Sequence, residues 1–389
     1  MDGIIEGDTM FQLSKENLMV QKTAREFARK ELAELAAHRD AHHEFPASSL
    51  KKIGDMGLMG MLVSEKYGGS DTGAVGYALA LTEIAYGCAS TAVVMSVHNS
   101  ICCGSIQKFG TEEQKEEFLL PMTAGTCIGA FALTEPEAGS DPQAMSCSAV
   151  KDGNHYIING TKRFITSGKF SGVIILIART SEEKGKGLTA FLITHGMPGF
   201  KVGRLEDKMG QCASDTTDLL FTDCKVPVAR RLGEEGQGFE IAMSGLEDGR
   251  IGIAALSLGI GMAALDQAVK YAKQRKQFNK KISEFQGLRW MLADMDMDVD
   301  AARLLMLNAA SLKQAGKPCR AEASKAKCYA SDMAQRVTGQ AIQIHGGYGY
   351  IKEYPVERFY RDARITTIYE GTNQIQRIII ANELLKDKK

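Results

Sequence analysis

Two apolar stripes constrain the C-terminal third of the chain. Leu288, Leu292, Met295, Val299, Ala302, Met306 and Ala309 recur at spacings of four and three, and a second stripe runs through Ala323, Ala326, Ala330, Met333 and Val337. Such spacing is one face of an α-helix. Gly316-Lys317-Pro318 interrupts the chain between the stripes, where proline cannot continue a helix and glycine frees the backbone to reverse. Stripes this long find cover only on other helices, so they predict antiparallel neighbours in a bundle spanning residues 233–385.

The period changes upstream. CIGAFAL (127–133), HYIING (155–160), GVIILIA (172–178), LTAFLIT (188–194) and LLFTDCKV (219–226) are short, rich in β-branched or aromatic residues, and bounded by Gly, Asn, Asp or Ser. Asn159-Gly160, between HYII and TKRFI, predicts a two-residue hairpin because both residues tolerate positive φ. Residues 10–125 read as helices. Asn17–Ala37 is charged and amphipathic, Tyr77–Lys108 is apolar enough to be buried on several sides, and Thr111 with Gln114 forms a capping-box signature. The expected fold class is α+β. It has an N-terminal helical domain (1–125), a middle antiparallel β-sandwich or barrel (126–232) and a C-terminal four-helix bundle (233–389). No internal repeat is visible, and the KDKK tail reads as solvated.

Charge excludes one class of partner. Lys+Arg and Asp+Glu are both 47 in 389 residues, a net charge of zero, which argues against affinity built on neutralising a nucleic-acid backbone. A hydrophobic share of 44% excludes intrinsic disorder. The nine cysteines are scattered, without a Cys-x-x-Cys, so a reduced compartment is expected and Cys102-Cys103 reads as packing. The first residues include acids and no apolar h-region, so neither a signal peptide nor an Arg-rich transit peptide is read. Apolar stretches are broken by polar residues before a span's length, so no membrane span is expected. The location that follows is cytoplasmic, or the mitochondrial matrix after processing, and not secreted. His38, His42 and His43 have helical spacing but no partner set for zinc, so no metal is expected. QIHGGYGY (343–350) follows a helix and GEEGQG (233–238) reads as an interdomain turn; neither has the glycine spacing of a nicotinamide-dinucleotide loop.

Three motifs admit two roles each. The loop in FALTEPEAGSD (131–141) can present N–H groups and the Thr134 and Ser140 hydroxyls to a polar ligand, or be an ordinary turn. In GTKRFITSG (160–168), strand alternation places Phe164 and Thr166 on one side, fit either to stack on and hydrogen-bond a planar ring or simply to pack. In IYEGTNQIQR (368–377), Glu370 precedes Gly371 and the capping residue Thr372; its carboxylate suits a helix N-terminus and equally a general base on a glycine hinge.

FALTEPEAGSD, NGTKRFITSG, EDGRIGIAALSLGIG, RKQFNKKISEFQ, QAIQIHGGYGY and YRDARITTIYEGTNQIQR occur in this order, and together they resemble the acyl-CoA dehydrogenases, closest to the short-chain and branched-chain members. The resemblance covers about residues 12–385. It implies FAD as cofactor and oxidation of an acyl-CoA to the 2,3-enoyl-CoA. Glu370 matches the family's catalytic base and Gly371 the thioester contact. Phe131, Leu133, Thr134 and Ser140 match the first flavin segment, with Ser140 also on the CoA side, and Phe164 and Thr166 lie beside the isoalloxazine. Arg275, Gln277, Phe278, Phe285 and Gln286, with Gln343, Gly346 and Gly347, match stretches that reach a neighbouring subunit's FAD. Thr372 and Gln374 match its adenine diphosphate contacts, and Glu247 and Arg250 the substrate side.

In the family, the Glu backbone N–H and a flavin ribityl hydroxyl hold the thioester carbonyl. Some members have Trp where Phe164 stands, and many short-chain members have Asp or Asn where Glu247 stands. No arginine stands near Thr91–Ala92, where glutaryl-CoA dehydrogenases place one, which disfavours a dicarboxylate substrate. The resemblance further implies a homo-oligomer, a tetramer by family habit, and electron-transferring flavoprotein as partner. An enoyl-CoA reductase working in reverse, a non-catalytic acyl-CoA or flavin-binding scaffold, and a structural helical oligomer are the competing expectations.

Overall fold

The N-terminal amphipathic segment folds as α1 (Lys15–Phe27) and α2 (Ala33–His42), continuous through one wider turn at Ala28–Leu32. The computed structural model describes residues 13–183 and 185–386, so the reading of the first twelve residues as free of a signal sequence, and that of the last three tail residues, lie outside it. α3 (Ala47–Asp55), α4 (Gly73–Gly87), α5 (Ala89–Ser96), α6 (Gly104–Phe109) and α7 (Glu112–Thr123) complete this layer. α4 and α5 are buried on nearly all sides, as their apolar run predicts. Thr111 and Gln114 cap α7 reciprocally, at 3.3 and 3.2 Å.

The middle region contributes β1 (Gly129–Ala132), β2 (Ser148–Asp152), β3 (His155–Thr166), β4 (Val173–Arg179), β5 (Leu188–Ile193), β6 (Phe200–Leu205), β7 (Thr216–Pro227) and β8 (Arg231–Leu232). Their order is β6-β7-β3-β2-β4-β5-β8, with β1 on β4. Most pairs are antiparallel, as expected, but β1 runs parallel to β4, from Gly129 opposite Val173 to Ala132 opposite Leu176. The expected hairpin at Asn159-Gly160 is not formed. β3 is one strand of 12 residues, and Asn159 faces a bulge whose extra residue is on β7, where Thr222 and Asp223 stand between the partners of Gly160 and Ile158 and Asp223 takes φ +47°. The ladder continues because β3 pairs with β2 on one edge and β7 on the other. Gly160 (φ +147°) is needed there: a Cβ would come 2.7 Å from Cys147 Cα. The tight turn is Gly153-Asn154 instead, between the paired Asp152 and His155.

α8 (Gly238–Gln274), 37 residues long, leads into the two-stranded ribbon of β9 (Lys276–Gln277) and β10 (Lys280–Lys281). α9 (Gln286–Gln314), α10 (Arg320–His345), α11 (Val356–Arg364) and α12 (Asn373–Leu384) follow. α8, α9 and α10 pack on one another, and α11 and α12 close against α10. Met295, Val299, Ala302, Met306 and Ala309 of the first stripe and all five residues of the second are buried. Contrary to the expectation that apolar runs stay short, α8 is long and apolar enough to span a membrane, but 83% of its most apolar window is buried inside the protein. It lies between α4 and α10, and small residues let it approach both. A Cβ on Gly259 would overlap the Thr82 carbonyl of α4, and one on Gly261 would meet Met333 Sδ of α10 at 2.7 Å. Gly259→Val should therefore destabilise the fold by about 1–3 kcal/mol through overpacking, read as a lower urea midpoint; an unchanged midpoint would show that the two helices can separate freely.

Candidate active site

Glu370 sits in the short loop that links the end of α11 to α12, in the left-handed region (φ +51°), followed by Gly371 at φ +88°. A non-glycine residue rarely adopts that conformation unless its surroundings enforce it. Three side-chain bonds enforce it here. Gln376 Nε2 donates to the carbonyls of Glu370 (3.1 Å) and Gly371 (3.0 Å). Lys327 Nζ, from α10, donates to the same Gly371 carbonyl at 2.9 Å and to Asn373 Oδ1 at 2.9 Å. Thr372 caps α12 by accepting from Ile375 N at 3.3 Å, the capping role its sequence position predicts. The backbone N–H groups of Glu370 and Gly371 have no partner among the described residues.

The Glu370 carboxylate is bare. The residue is half-buried overall, yet both carboxylate oxygens are sealed from solvent without a hydrogen-bond partner. Burial pushes its pKa up to about 7, against the opposing pull of the Lys327 and Arg250 charges. Gly249 on α8 makes the room, since a Cβ there would overlap Glu370 Oε2. One turn on, a Cβ on Gly252 would overlap Ser96 Oγ and come 2.6 Å from the hydroxyl of buried Tyr77, so two missing side chains on one face of α8 let Glu370 on one side and α4 with α5 on the other pack directly against the helix. Arg250 is buried with its Nε unpartnered. Glu247, a turn earlier, accepts a 3.6 Å contact from Cys319 Sγ.

A second group forms where β1 ends beside β3. Phe131 lies on β1, Leu133 and Thr134 directly follow it, and Phe164 and Thr166 lie at the end of β3. Arg163 N donates to the Thr134 carbonyl at 2.8 Å, joining the two segments. Simple alternation does not carry across this part of β3: a second bulge sets Arg163 and Phe164 against one partner residue, with Phe164 in the left-handed region. Ile165 is buried between them, and Phe164 is left 56% exposed. The hydroxyls of Thr134, Ser140 and Thr166 have no side-chain partner among the described residues, and Ser167 Oγ and Ser214 Oγ are buried without one. Unengaged donors around an exposed aromatic edge are what a flat, hydrogen-bonding ring system requires.

Burial hides what positions this group. Lys162 and Glu135 form a wholly buried ion pair at 2.7 Å, and Lys162 also donates to the Leu133 carbonyl at 2.9 Å. Glu135 accepts from Ser146 N, Ser146 Oγ and Cys147 N, so the pair fastens the whole 133–147 loop to β3. Burial opposes the Glu135 charge, and Lys162 with these donors more than offsets it, holding the carboxyl below its usual pKa.

The third group lies elsewhere. Arg275 and Gln277, with Gly346 and Gly347, line an open cleft of about 480 Å³, and Arg275 lies 5.4 Å over the Tyr348 ring. Phe278 is 87% exposed and meets Phe285 edge-on at 6.0 Å. Gln343 is on the last turn of α10, Gln286 begins α9, and Gln374 is in the first turn of α12. Arg275 follows Arg250 by 25 residues of the same helix, roughly 38 Å at 1.5 Å per residue. One chain therefore does not bring Arg275 to Glu370, whereas Gln374 lies only four residues beyond it.

Sequence reasoning did not single out Lys327, Gln376, Asn373, Gly249 or the Lys162–Glu135 pair. A signal existed for Lys327, which falls four after Ala323 and three before Ala330, on the apolar stripe. Among the described residues no cluster of three His, Cys, Asp or Glu is placed to hold a metal. Lys162→Met should cost about 3–5 kcal/mol by stranding a buried carboxylate and expose the 134–147 loop to limited proteolysis, while adding Glu135→Gln should recover most of the loss. Equal destabilisation in the single and double variants would show that the pair is not what fastens the loop.

The chain matches the acyl-CoA dehydrogenase N-terminal domain over residues 14–126, the middle domain over 130–224 and the C-terminal domain over 236–385. It is 46% identical to a short-chain specific acyl-CoA dehydrogenase of Clostridium acetobutylicum, over 97% of this chain and 100% of that one. It is also 46% identical to an NADH-dependent acryloyl-CoA reductase of Anaerotignum propionicum, over 97% and 96%. Among solved structures, butyryl-CoA dehydrogenase of Megasphaera elsdenii superposes with a TM-score of 0.95 at 45% identity, covering 97% of this chain and all of that one.

Proposed function

Because the chain belongs to the acyl-CoA dehydrogenase family, FAD-dependent oxidoreductases acting on CH–CH bonds, we propose that it oxidises a short or branched, including cyclic, acyl-CoA to the 2,3-enoyl-CoA with Glu370 as base. The observation that carries this is the bare carboxylate of Glu370, sealed from solvent without a hydrogen-bond partner, poised near neutrality and set beside its own free backbone N–H.

The α-hydrogen of a saturated thioester is weakly acidic, so the base alone is not enough. The free N–H of Glu370 donates to the thioester carbonyl and stabilises the negative charge that develops there. Glu370 then accepts the α-proton; acyl-CoA bound against it excludes water and keeps the carboxylate a competent base. Arg250, Glu247, Ser140 and Gly371 serve the substrate side. Phe131, Leu133, Thr134, Ser140, Phe164, Thr166, Thr372 and Gln374 hold FAD, which supplies the two-electron acceptor for the β-hydride when bound. Arg275, Gln277, Phe278, Phe285, Gln286, Gln343, Gly346 and Gly347 lie in the segments that in the family reach a neighbouring subunit's FAD, and complete a neighbour's cofactor site here in a homo-oligomer, a tetramer. Reduced enzyme passes its electrons to electron-transferring flavoprotein. The three domains divide at 1–125, 126–232 and 233–389.

The test is an anaerobic panel of butyryl-, isobutyryl-, 2-methylbutyryl-, cyclohexanecarbonyl- and octanoyl-CoA, following loss of the flavin band. Rapid bleaching by a short or branched member is expected. Glu370→Gln should keep FAD and bind the same thioester while the bleaching rate falls roughly 10²–10⁴-fold; a variant that bleaches like the parent would remove the base assignment, and a parent that no thioester bleaches would remove the activity. A second reading, enoyl-CoA reduction, is favoured by the likeness to the acryloyl-CoA reductase. It is the conclusion to draw if pre-reduced enzyme is oxidised by an enoyl-CoA much faster than oxidised enzyme is reduced by the saturated one.

The raised pKa of Glu370 also has a stability consequence. A carboxyl whose folded pKa lies above its unfolded value near 4.5 stabilises the protein at low pH, and that contribution is lost as pH rises through about 7. Glu370→Gln should therefore match the ligand-free parent in stability at pH 5 and exceed it by about 1–3 kcal/mol at pH 8. Asp215 and Asp362, whose buried carboxyls are pushed up to about 6, titrate in both proteins and cancel in the comparison.

A further inference from the structure

Lys327 is a fully buried cation on α10, on the stripe otherwise made of apolar residues, and none of its hydrogen bonds goes to a carboxylate. Its ammonium meets the Gly371 carbonyl and Asn373 Oδ1, both neutral. Asn373 is itself fixed, its Nδ2 donating to Ser331 Oγ at 2.9 Å and to Asp332 Oδ1 at 2.8 Å. A buried lysine with these partners is expensive as a mere strut, because a neutral side chain would fill the same place without the cost of desolvating a charge.

We infer that Lys327 is a positioning residue for the base: its ammonium holds the left-handed turn that carries Glu370, and its charge faces that carboxylate from α10 without bonding to it. The inference rests on Glu370 being the base. The two functions are separable. The hydrogen bonds fix the Gly371 carbonyl, and with it the peptide that follows the base. The charge acts through space. Were Lys327 to bond the carboxylate directly, it would lower its proton affinity and occupy the lone pair that must accept the α-proton. Spending its donors on neutral acceptors leaves Glu370 both ionisable and free.

The other charged and titratable groups facing this pair are few. Arg250 acts on both from α8. Tyr77 on α4 and Tyr369 beside the base feel the Glu370 charge, and both phenols are pushed up, chiefly by burial, so they stay neutral through the working range. Cys328 and Asp332, on α10, act on Lys327 and favour its charged form. Burial pulls Lys327 down to about 8, so its charge is present where Glu370 titrates and fades above that.

The test uses FAD-loaded enzyme and the best thioester of the panel. Lys327→Gln retains a donor for the Gly371 carbonyl but removes the charge; Lys327→Met removes both. Removing a nearby positive charge raises the pKa of a carboxyl, so the acid limb of kcat should move up by about one pH unit in both variants. KM should change less than kcat. Lys327→Met should also lower the plateau of kcat at high pH, where Glu370 is ionised regardless, and Lys327→Gln should lower it less. Asn373→Asp leaves the lysine in place and neutralises it with a new carboxylate; its acid limb should rise as well, which keeps the inference testable if the lysine variants do not fold. A readout without turnover is the stability gained on Glu370→Gln at pH 8, which should be larger in the Lys327→Gln background. Acid limbs within about 0.3 unit of the parent in the folded variants, with no change in that stability difference, would overturn the inference and leave Lys327 a packing residue. Failure of the base itself is distinct: it shows as Glu370→Gln bleaching at the parental rate.

Discussion

A carboxylate with no hydrogen-bond donor is among the costliest things to keep inside a protein, and this chain keeps one at Glu370. Much of the local architecture follows from sustaining it. The turn beneath it is held left-handed by Gln376 and Lys327, each bonding backbone carbonyls rather than the carboxylate. The carboxylate can lie directly against α8 because that helix has glycine at 249. The two nearby cations act as a field and not as ligands. A base must combine a raised proton affinity with an open lone pair, and any ordinary satisfaction of this group would have sacrificed one or the other.

α8 links the two proposed sites, the one at Glu370 and the cleft at Arg275. As a core helix it must be apolar along its length, because α4 and α10 flank it. As a ruler it separates the Gly249–Arg250 end from Arg275 by most of a domain's diameter. The glycine-rich end of α10 meets α8 at that far end, which places Gly346 and Gly347 beside Arg275 in an exposed cleft with Phe278 standing free. A cleft with a guanidinium laid over a half-exposed tyrosine and backbone that no Cβ obstructs is fit to receive something from outside the chain.

Periodicity made the helices legible. The stripes of α9 and α10, the burial of α4 and α5 and the capping box of α7 all follow from spacings that sequence displays directly. The middle sheet was less so. Asn159-Gly160 carries the chemistry of a turn, but whether it turns depends on a second partner strand, and no local rule sees β7 from β3. The same limit applies at Phe164, where a bulge replaces alternation. At the candidate site, Glu370, Gly371 and Thr372 could be picked out because they are adjacent in sequence. Lys327 and Gly249 come from helices far away in the chain, and Lys162 meets Glu135 across 27 positions; such pairings are tertiary facts that a resemblance to known site motifs does not report.

Phe164 and Thr166, proposed to edge the flavin, and Glu370, the proposed base, lie on different domains, and chemistry between such groups tolerates little relative movement. One loop bridges them. Asp215 accepts from Lys169 N at 2.8 Å through its carboxylate and from Ser167 N at 3.0 Å through its carbonyl, which fixes the backbone immediately after Thr166. Four residues earlier, Gln211 bonds to buried Asp362 on α11 through its backbone N–H, and its Nε2 donates to the Asp362 carbonyl at 3.1 Å and to the Tyr369 hydroxyl at 3.2 Å. Tyr369 directly precedes Glu370. Arg361, next to Asp362, reaches back to Asp40 of α2 at 2.7 Å and to the Met209 carbonyl at 3.1 Å, so all three domains converge on this loop. Gly210 permits the approach, since a Cβ there would overlap the Arg361 carbonyl. A displacement of the sheet relative to the bundle must therefore break buried hydrogen bonds on one side of residues 209–215 or the other. That short segment ties the backbone after Thr166 to the residue before Glu370.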